Sequence, residues 1–113
     1  MHELAITEEI LNLVLSEASR NNAAKVKDVK LVIGEMTGIV NESVAFYFDE
    51  ISKGTVAEGA KLSFKRVPAA GKCRDCGHQF VVKDFIWACP DCGSLNIDIT
   101  AGKELYLESL GVI

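Results

Sequence analysis

Apolar side chains recur every three or four residues along the first twenty positions of the chain. Positions 4 to 20 contain neither glycine nor proline, and several of the intervening positions are glutamates. Such spacing places the apolar side chains on one face of a helix. We therefore predict an amphipathic helix over residues 4–20, with an inner stripe of Leu4, Ile10, Leu11, Val14 and Ala18.

Three later segments alternate apolar and polar side chains, which is the period of a strand with one buried face. The first covers residues 29–33, with Val32 on its outer face, and stops at Gly34. The second covers residues 60–65 and ends before Pro68. The third begins at about residue 105. These segments predict three strands.

A second helix is predicted between the first two strands. Asn41 is a suitable N-cap residue, and Gly54 fits the C-terminal end. The inner stripe of this helix is predicted to contain Val44, Tyr47, Phe48 and Ile51.

Two helices and three strands predict a small α/β (α+β) fold. The economical arrangement returns the last strand to the first two and forms one three-stranded mixed sheet. Residues 1–67 and 101–113 would then form the α/β domain, and residues 68–100 an inserted ribbon.

Composition narrows the class of protein. The 113 residues suit one small domain with a subdomain. Twelve basic and sixteen acidic side chains give a net charge of -4, the wrong sign for a surface that binds nucleic acid. No apolar run approaches the ~20 residues that cross a bilayer, and the acidic start is unlike a signal peptide. We therefore expect a cytoplasmic protein without a membrane or nucleic-acid partner.

All four cysteines lie within twenty residues, in the pattern C-x2-C, twelve residues, C-x2-C. Two residues between cysteines let both thiolates bind one ion, and the glycine after each pair permits the tight turn. Four thiolates leave no open position, which is typical of a structural zinc site. Rubredoxin-like iron carriers use similar spacing, so zinc and iron both remain open, with disulfides or a redox pair as further alternatives. The predicted ligands are Cys73, Cys76, Cys89 and Cys92.

The ribbon has few residues with which to build a core: Phe80, Val81, Val82, Phe85, Ile86 and Trp87. We therefore expect its folding to depend on the metal. His78 is either an ordinary exposed imidazole or a group that approaches the metal. Asp84 and Asp91 are interpreted as polar turn residues.

The first three residues offer several donors for a second metal. The amine of Met1, the amide and imidazole of His2 and a donor from Glu3 would form a compact, nitrogen-rich set. Such a set favours the square-planar geometry of Ni(II) or Cu(II), and a reducing compartment favours nickel. A terminus that binds nothing is the alternative.

Six segments occur in order along nearly the whole chain: M-H-E-L, L-V-I-G-E-M-T-G, F-Y-F-D-E-I-S-K-G-T-V-A-E-G-A-K-L, C-R-D-C, C-P-D-C-G-S and G-K-E-L-Y-L. Together they make the chain resemble the HypA/HybF family of hydrogenase maturation proteins, which assist nickel insertion. The resemblance implies a nickel-binding α/β domain with Met1, His2 and Glu3 as the site of transient Ni(2+). It also implies a zinc-binding ribbon with structural Zn(2+) on the four cysteines.

The resemblance implies partners as well. The family passes nickel toward the [NiFe]-hydrogenase large-subunit precursor together with a maturation GTPase, and some members also serve urease. The chain lacks a G-x-x-x-x-G-K-S/T loop, so nucleotide hydrolysis would come from the partner. A monomer or a weak homodimer is expected.

Two other classes remain open from the residues: a rubredoxin-like iron electron-transfer module and a zinc-stabilised protein-interaction module. An enzyme is not expected. The carboxylates Glu35, Asp49 and Glu50 have no histidine or open metal position paired with them in the pattern, so ordinary surface is the simpler interpretation.

Overall fold

The computed structural model describes residues 3–113, which form two α-helices, a 3₁₀ turn and six strands. The helices are α1 (Glu3–Arg20) and α2 (Asn41–Ile51), and the 3₁₀ turn is Glu35–Thr37. The strands are β1 (Val26–Gly34), β2 (Lys61–Val67), β3 (Ala70–Cys73), β4 (Gln79–Val81), β5 (Ile97–Ala101) and β6 (Leu105–Val112). The predicted fold class, with two helices, a three-stranded sheet and an inserted segment that carries the four cysteines, is confirmed.

Helix α1 buries one face, as its periodicity predicts. The buried side chains are Thr7, Ile10, Leu11, Val14 and Ala18. Thr7 belongs to this face because its hydroxyl donates to the Glu3 carbonyl at 2.6 Å, which satisfies the polar group inside the helix. Leu4 was predicted to be inside, but it lies in the first turn and is 43% exposed.

Helix α2 packs on α1 through Val44 and Phe48, which are both fully buried. The prediction that Asn41 caps this helix is wrong. The helix begins at Asn41 itself, so Val40 is at the cap position. The backbone of Val40 is extended, and its side chain makes no capping hydrogen bond. At the other end, Ser52 donates its amide to the Phe48 carbonyl at 3.0 Å, and the chain leaves the helix before Gly54.

The first sheet has the order β2-β1-β6, so the last strand does return to the first one. The Ala24 amide donates to the Ile113 carbonyl at 2.8 Å, and the Gly34 amide donates to the Glu104 carbonyl at 2.7 Å. Because these bonds join opposite ends of the two strands, β1 and β6 are antiparallel. Val32, predicted to face outward, is buried because the end of this central strand is covered on both faces.

The second sheet, in the order β4-β3-β5, was not predicted from the sequence. Strand β3 pairs antiparallel with both neighbours, and Gly71 lies opposite Phe80 on one side and Ile99 on the other. These strands have three to five residues, too few for a clear alternation.

The apolar residues expected to form the ribbon core are only partly buried. Val82 is buried, whereas Val81, Phe85 and Ile86 are more than half exposed. Asp84 and Phe85 both have positive φ, and this tight turn directs the Phe85 side chain outward. The ribbon therefore has an even smaller apolar core than the sequence suggests.

Internal contacts divide the chain into two compact units. The α/β unit comprises the chain up to Val32, Gly38–Lys65 and Tyr106–Ile113. The ribbon unit comprises Ile33–Thr37 and Arg66–Leu105. Which metal each part binds stays a prediction: nickel for residues 1–67 with 101–113, and zinc for residues 68–100. Among residues 3–113, no helix has the length and apolar character required to cross a membrane.

Candidate metal centre

Each cysteine pair lies in a tight backbone turn, which we call a knuckle. In the first knuckle, residues 73–78, the Cys73 amide donates to the His78 carbonyl and the Gly77 amide donates to the Cys73 carbonyl, both at 2.9 Å. Gly77 has a φ of 79°, a conformation that glycine adopts without steric cost. The turn points both cysteine side chains into its concave side, as the C-x2-C spacing predicts.

The second knuckle, residues 89–94, repeats the first with an offset of sixteen residues. The Cys89 amide donates to the Ser94 carbonyl and the Gly93 amide donates to the Cys89 carbonyl, again at 2.9 Å. Gly93 has a φ of 76°. The likeness between C-R-D-C-G-H and C-P-D-C-G-S in the sequence therefore reflects two copies of one backbone turn.

The two knuckles bring the four sulfur atoms within 4.8 Å of one another. Each close pair joins the knuckles, with 3.6 Å between the Sγ atoms of Cys73 and Cys92 and 3.5 Å between those of Cys76 and Cys89. A disulfide needs about 2.05 Å, so these thiols are free. With Zn–S bonds of about 2.3 Å, a tetrahedral zinc site has sulfur atoms about 3.8 Å apart. The cluster therefore fits a single tetrahedral ion.

Burial differs within each knuckle. Cys73 and Cys89, the first cysteine of each pair, are buried, whereas Cys76 and Cys92 are exposed at the residue level. Among residues 3–113, the set contains four sulfur donors and no carboxylate or imidazole within the same cluster. Such a donor set favours a thiophilic ion with four ligands and no vacant position for a substrate.

The thiols differ in how readily they ionise. The Cys76 amide donates to the Cys73 sulfur and lowers the pKa of that thiol to about 7, although burial opposes the shift. The His78 amide lowers the pKa of Cys76, but the Cys89 sulfur, burial and the other two sulfurs outweigh it and raise the value to about 12. The Ser94 amide likewise lowers the pKa of Cys92, and the Cys73 sulfur with burial raises it overall. A cation is what allows the crowded thiols to ionise together.

His78 contacts a carboxylate in the other knuckle. Its Nδ1 lies 3.2 Å from Oδ2 of Asp91, and its ring stacks on Phe80 with 6.0 Å between the ring centroids. The sequence predicted neither contact. Asp91, predicted to be a polar turn residue, lies in the turn of its knuckle and is exposed.

Trp87 packs within the ribbon unit. An ideal Cβ atom on Gly71 would lie 3.4 Å from the Trp87 ring and would overlap the Ile97 side chain. Glycine at this position lets strand β3 approach both side chains.

The N-terminal donor set lies mostly outside the described residues, because Met1 and His2 precede residue 3. Glu3 begins α1, and its carboxylate accepts a hydrogen bond from the Val40 amide at 3.4 Å. The N–H groups in the first turn of a helix have no acceptor within that helix. The amide of Glu3 is therefore not required for the α1 hydrogen-bond ladder.

The three carboxylates considered as candidate catalytic groups, Glu35, Asp49 and Glu50, lie on the surface. Glu35 begins the 3₁₀ turn and is exposed, as is Asp49 on α2. Glu50 lies 3.5 Å from the Lys53 ammonium, in an exposed i,i+3 pair. Within the described residues, the cluster of potential metal ligands contains none of them.

Residues 1–112 match the family described as "Hydrogenase/urease nickel incorporation, metallochaperone, hypA". A relative from Caldanaerobacter subterraneus subsp. tengcongensis, named hydrogenase maturation factor HypA, is 47% identical over 113 residues, which cover 99% of both chains. A relative of the same name from Dehalococcoides mccartyi is 45% identical over 112 residues, 99% of this chain and 94% of that one.

Two solved structures have the same fold at 28% sequence identity. "Solution structure of HypA protein" superimposes with a TM-score of 0.74 and covers all of this chain and 97% of that one. "Solution structure of the Ni metallochaperone HypA from Helicobacter pylori" gives a TM-score of 0.71 and covers all of this chain and 98% of that one.

The family description is that of a metallochaperone, which agrees with the expectation that the chain is not an enzyme. It also favours a carrier over a rubredoxin-like electron-transfer module. The chain belongs to the HypA family of hydrogenase and urease nickel-incorporation metallochaperones.

Proposed function

We propose that this protein carries Ni(II) at Met1, His2 and Glu3, while the four cysteines hold a structural zinc ion. The observation that carries the proposal is the family match, which starts at residue 1 and therefore includes the M-H-E segment. Nitrogen donors suit nickel and thiolate donors suit zinc, so the chemistry of the two sets supports two separate metals.

Glu3, the described residue of the proposed nickel site, is only weakly constrained, as a carrier requires. The Val40 amide bond to the Glu3 carboxylate is long and exposed, so exchange with solvent or metal costs little. The amine, the imidazole and the carboxylate or amide would bind the cargo only after losing protons, so acidification would favour its release.

The proposed zinc ligands are Cys73, Cys76, Cys89 and Cys92. Their mutual distances match a tetrahedral thiolate site. The described part of the chain adds no other donor to this cluster, which supports a closed, structural ion. Zinc would supply the positive charge that the crowded thiolates lack and would fix the two knuckles. No chemical step of nickel transfer requires it.

We further propose that the nickel is delivered to the [NiFe]-hydrogenase large-subunit precursor, with a maturation GTPase as the partner that hydrolyses nucleotide. The family description names both hydrogenase and urease, so urease maturation proteins are a second group of recipients. The sequence has no phosphate-binding loop of its own, which supports the need for a separate GTPase.

The nickel site is tested by a comparison of the two histidines of the chain, His2 and His78. Zinc-loaded, untagged wild type, His2→Ala and His78→Asn would be titrated with Ni(II) by calorimetry. We expect His2→Ala to lower nickel affinity by at least about 100-fold, because a ligand is lost, whereas His78→Asn keeps it. An added residue before Met1 should act like His2→Ala, because it removes the Met1 amine.

Metal analysis of each variant before and after the titration provides the control, since zinc content should stay at one ion per chain. Unchanged nickel affinity in His2→Ala would refute the assignment. Nickel that enters with loss of zinc would place the cargo on the cysteines instead.

A further inference from the structure

The two knuckles have an aspartate at the same position, immediately before the second cysteine. These residues are Asp75 and Asp91, sixteen positions apart like the knuckles themselves. Four thiolates around one divalent ion already carry a net charge of about -2, so further carboxylates nearby are electrostatically unfavourable. The charge of these aspartates therefore does not explain their presence in both knuckles, and their hydrogen bonds are the other feature to consider.

Asp75 of the first knuckle contacts the second knuckle. Its Oδ2 accepts a hydrogen bond from the Ser94 hydroxyl and another from the Asn96 side-chain amide at 3.3 Å. The Asn96 backbone amide donates to Ser94 Oγ at 3.1 Å. Because the hydroxyl oxygen accepts from Asn96, its own proton is directed to Asp75.

Asp91 of the second knuckle makes the equivalent contact in the opposite direction. Its Oδ2 lies 3.2 Å from Nδ1 of His78, in the first knuckle. His78 corresponds to Ser94 under the sixteen-residue offset, so the same two positions meet twice. The stack of His78 on Phe80 fixes the ring that receives this contact.

The residue at the last position of each knuckle therefore has two roles. The backbone carbonyl of each residue accepts a hydrogen bond from the amide of the first cysteine in its own knuckle, at 2.9 Å for both His78 and Ser94. Their side chains meet the aspartate of the other knuckle. We call the Asp75–Ser94 and Asp91–His78 pairs the cross-knuckle contacts.

We infer that Asp75 and Asp91 are positioning residues whose cross-knuckle contacts hold the two halves of the cysteine cluster together. Each close pair of sulfurs contains one atom from each knuckle, so separation of the knuckles would pull both pairs apart. The contacts oppose this separation and slow the loss of the bound metal. This inference rests on the zinc site proposed above.

The inference is tested by the rate at which zinc-loaded protein loses its metal to a chromogenic chelator in excess. We expect Asp75→Ala to lose zinc about tenfold faster than wild type, the effect of removing a hydrogen bond to a charged group. Ser94→Ala removes the same contact without a change in charge, and its rate should rise in the same direction but less, since Asn96 still donates to Asp75. Asp91→Ala should also accelerate the loss.

Asp84→Asn is the matched control. It removes one negative charge from the ribbon unit outside both knuckles, and asparagine tolerates the positive φ of this position. We expect its rate to equal that of wild type. In Asp75→Ala combined with Ser94→Ala, the acceleration should be smaller than the product of the two single effects, because both substitutions break the Asp75–Ser94 contact.

The visible spectrum of the Co(II)-substituted variants provides a second readout, since it should keep the four-thiolate signature if the aspartates only position the ligands. Release from Ser94→Ala and Asp75→Ala at the wild-type rate would overturn the inference. So would multiplicative effects in the double variant. If Asp75→Ala fails to load zinc, Ser94→Ala alone decides. Wild type without stoichiometric zinc would instead refute the proposed zinc site.

Discussion

Individual thiols in the cysteine cluster hold their protons with different strength. The backbone amide of Cys76 stabilises the Cys73 thiolate, whose pKa is lowered to about 7. Despite the donation from the His78 amide, the Cys89 sulfur and burial raise the pKa of Cys76 to about 12, and the pKa of Cys92 is raised as well. Without a metal, Cys76 and Cys92 therefore remain protonated at neutral pH.

This difference predicts how zinc affinity depends on pH. Above pH 7, zinc binding must displace the protons of Cys76 and Cys92. Each displaced proton contributes one decade per pH unit, so the apparent affinity should rise by at least about 100-fold per pH unit. Below pH 7, Cys73 is also protonated, so the dependence becomes steeper. Competition with a chelator of known pH dependence, between about pH 6 and 8, measures the slope. An affinity that does not change with pH would show that the thiols are ionised before zinc binds.

The spacing of apolar side chains explains which buried residues could be predicted from the sequence. The buried stripe of α1 was visible because Ile10, Leu11 and Val14 follow the helical period. Leu4 follows it too, but the first turn of the helix lies at the edge of the core, and the side chain is half exposed. Periodicity specifies a face of the helix and says nothing about how far the core extends along it.

At the scale of the elements, the end of β1 depends on a close backbone contact. Gly34 donates its amide to the Glu104 carbonyl, and Met36 donates its amide to the Gly102 carbonyl, both at 2.7 Å. An ideal Cβ atom on Gly34 would overlap the backbone of Gly102 and lie 2.7 Å from the Glu104 amide nitrogen. Because backbone atoms cannot move aside as a side chain can, glycine is required here.

We therefore expect Gly34→Ala to destabilise the zinc-loaded protein by about 3 kcal/mol, the upper end of what forced overpacking costs. Gly54→Ala is the matched control. Gly54 has a φ of 82° and no neighbouring atom within 4 Å of its ideal Cβ, so only backbone strain of about 1 kcal/mol applies. Urea unfolding followed by circular dichroism compares the two variants. Equal losses would mean that the Gly102 contact relaxes.

The elements differ in how far the sequence predicts them. The helices and the three strands of the first sheet are long enough for a period to emerge, and their order in the chain limits the topology. The sequence predicted the start of α2 one residue too late, because asparagine suits the cap position and the neighbouring position equally well. In the structure Val40 is at the cap position, and its amide donates to the Glu3 carboxylate. That partner lies thirty-seven residues away in the sequence. The short strands β3, β4 and β5 depend on pairing with each other, which no local pattern records.

At the scale of the whole molecule, the same limit applies to the candidate site. The spacing of the cysteines predicted a cluster because one C-x2-C turn supplies only two thiolates, and a tetrahedral site needs the four that two turns supply together. The repeat of C-x-D-C-G was also visible. The contacts of Asp75 with Ser94 and of Asp91 with His78 were not, because they arise only after the two turns face each other. Sequence spacing therefore predicted the cysteine cluster, whereas the contacts that join its two halves are visible only in the structure.

The two compact units also differ in what stabilises them. The α/β unit has a continuous set of buried side chains from α1, β1 and α2, including Val14, Leu31 and Phe48. In the ribbon unit, Phe85 and Ile86 are exposed, so apolar burial there is small. Metal binding in comparable zinc peptides contributes ~10–16 kcal/mol, far more than such burial supplies.

Removal of the metal should therefore unfold the ribbon unit and leave the α/β unit folded. Trp87, the single tryptophan of the chain, reports on the ribbon, and hydrogen exchange at the amides of Val14 and Val44 reports on the buried faces of α1 and α2. After chelation we expect red-shifted Trp87 emission and rapid exchange around β3, with protection retained at Val14 and Val44. Zinc should restore both signals. Native Trp87 emission in metal-free protein would show that the ribbon folds on apolar contacts alone, and loss of protection at Val14 would show that the α/β unit depends on the zinc as well.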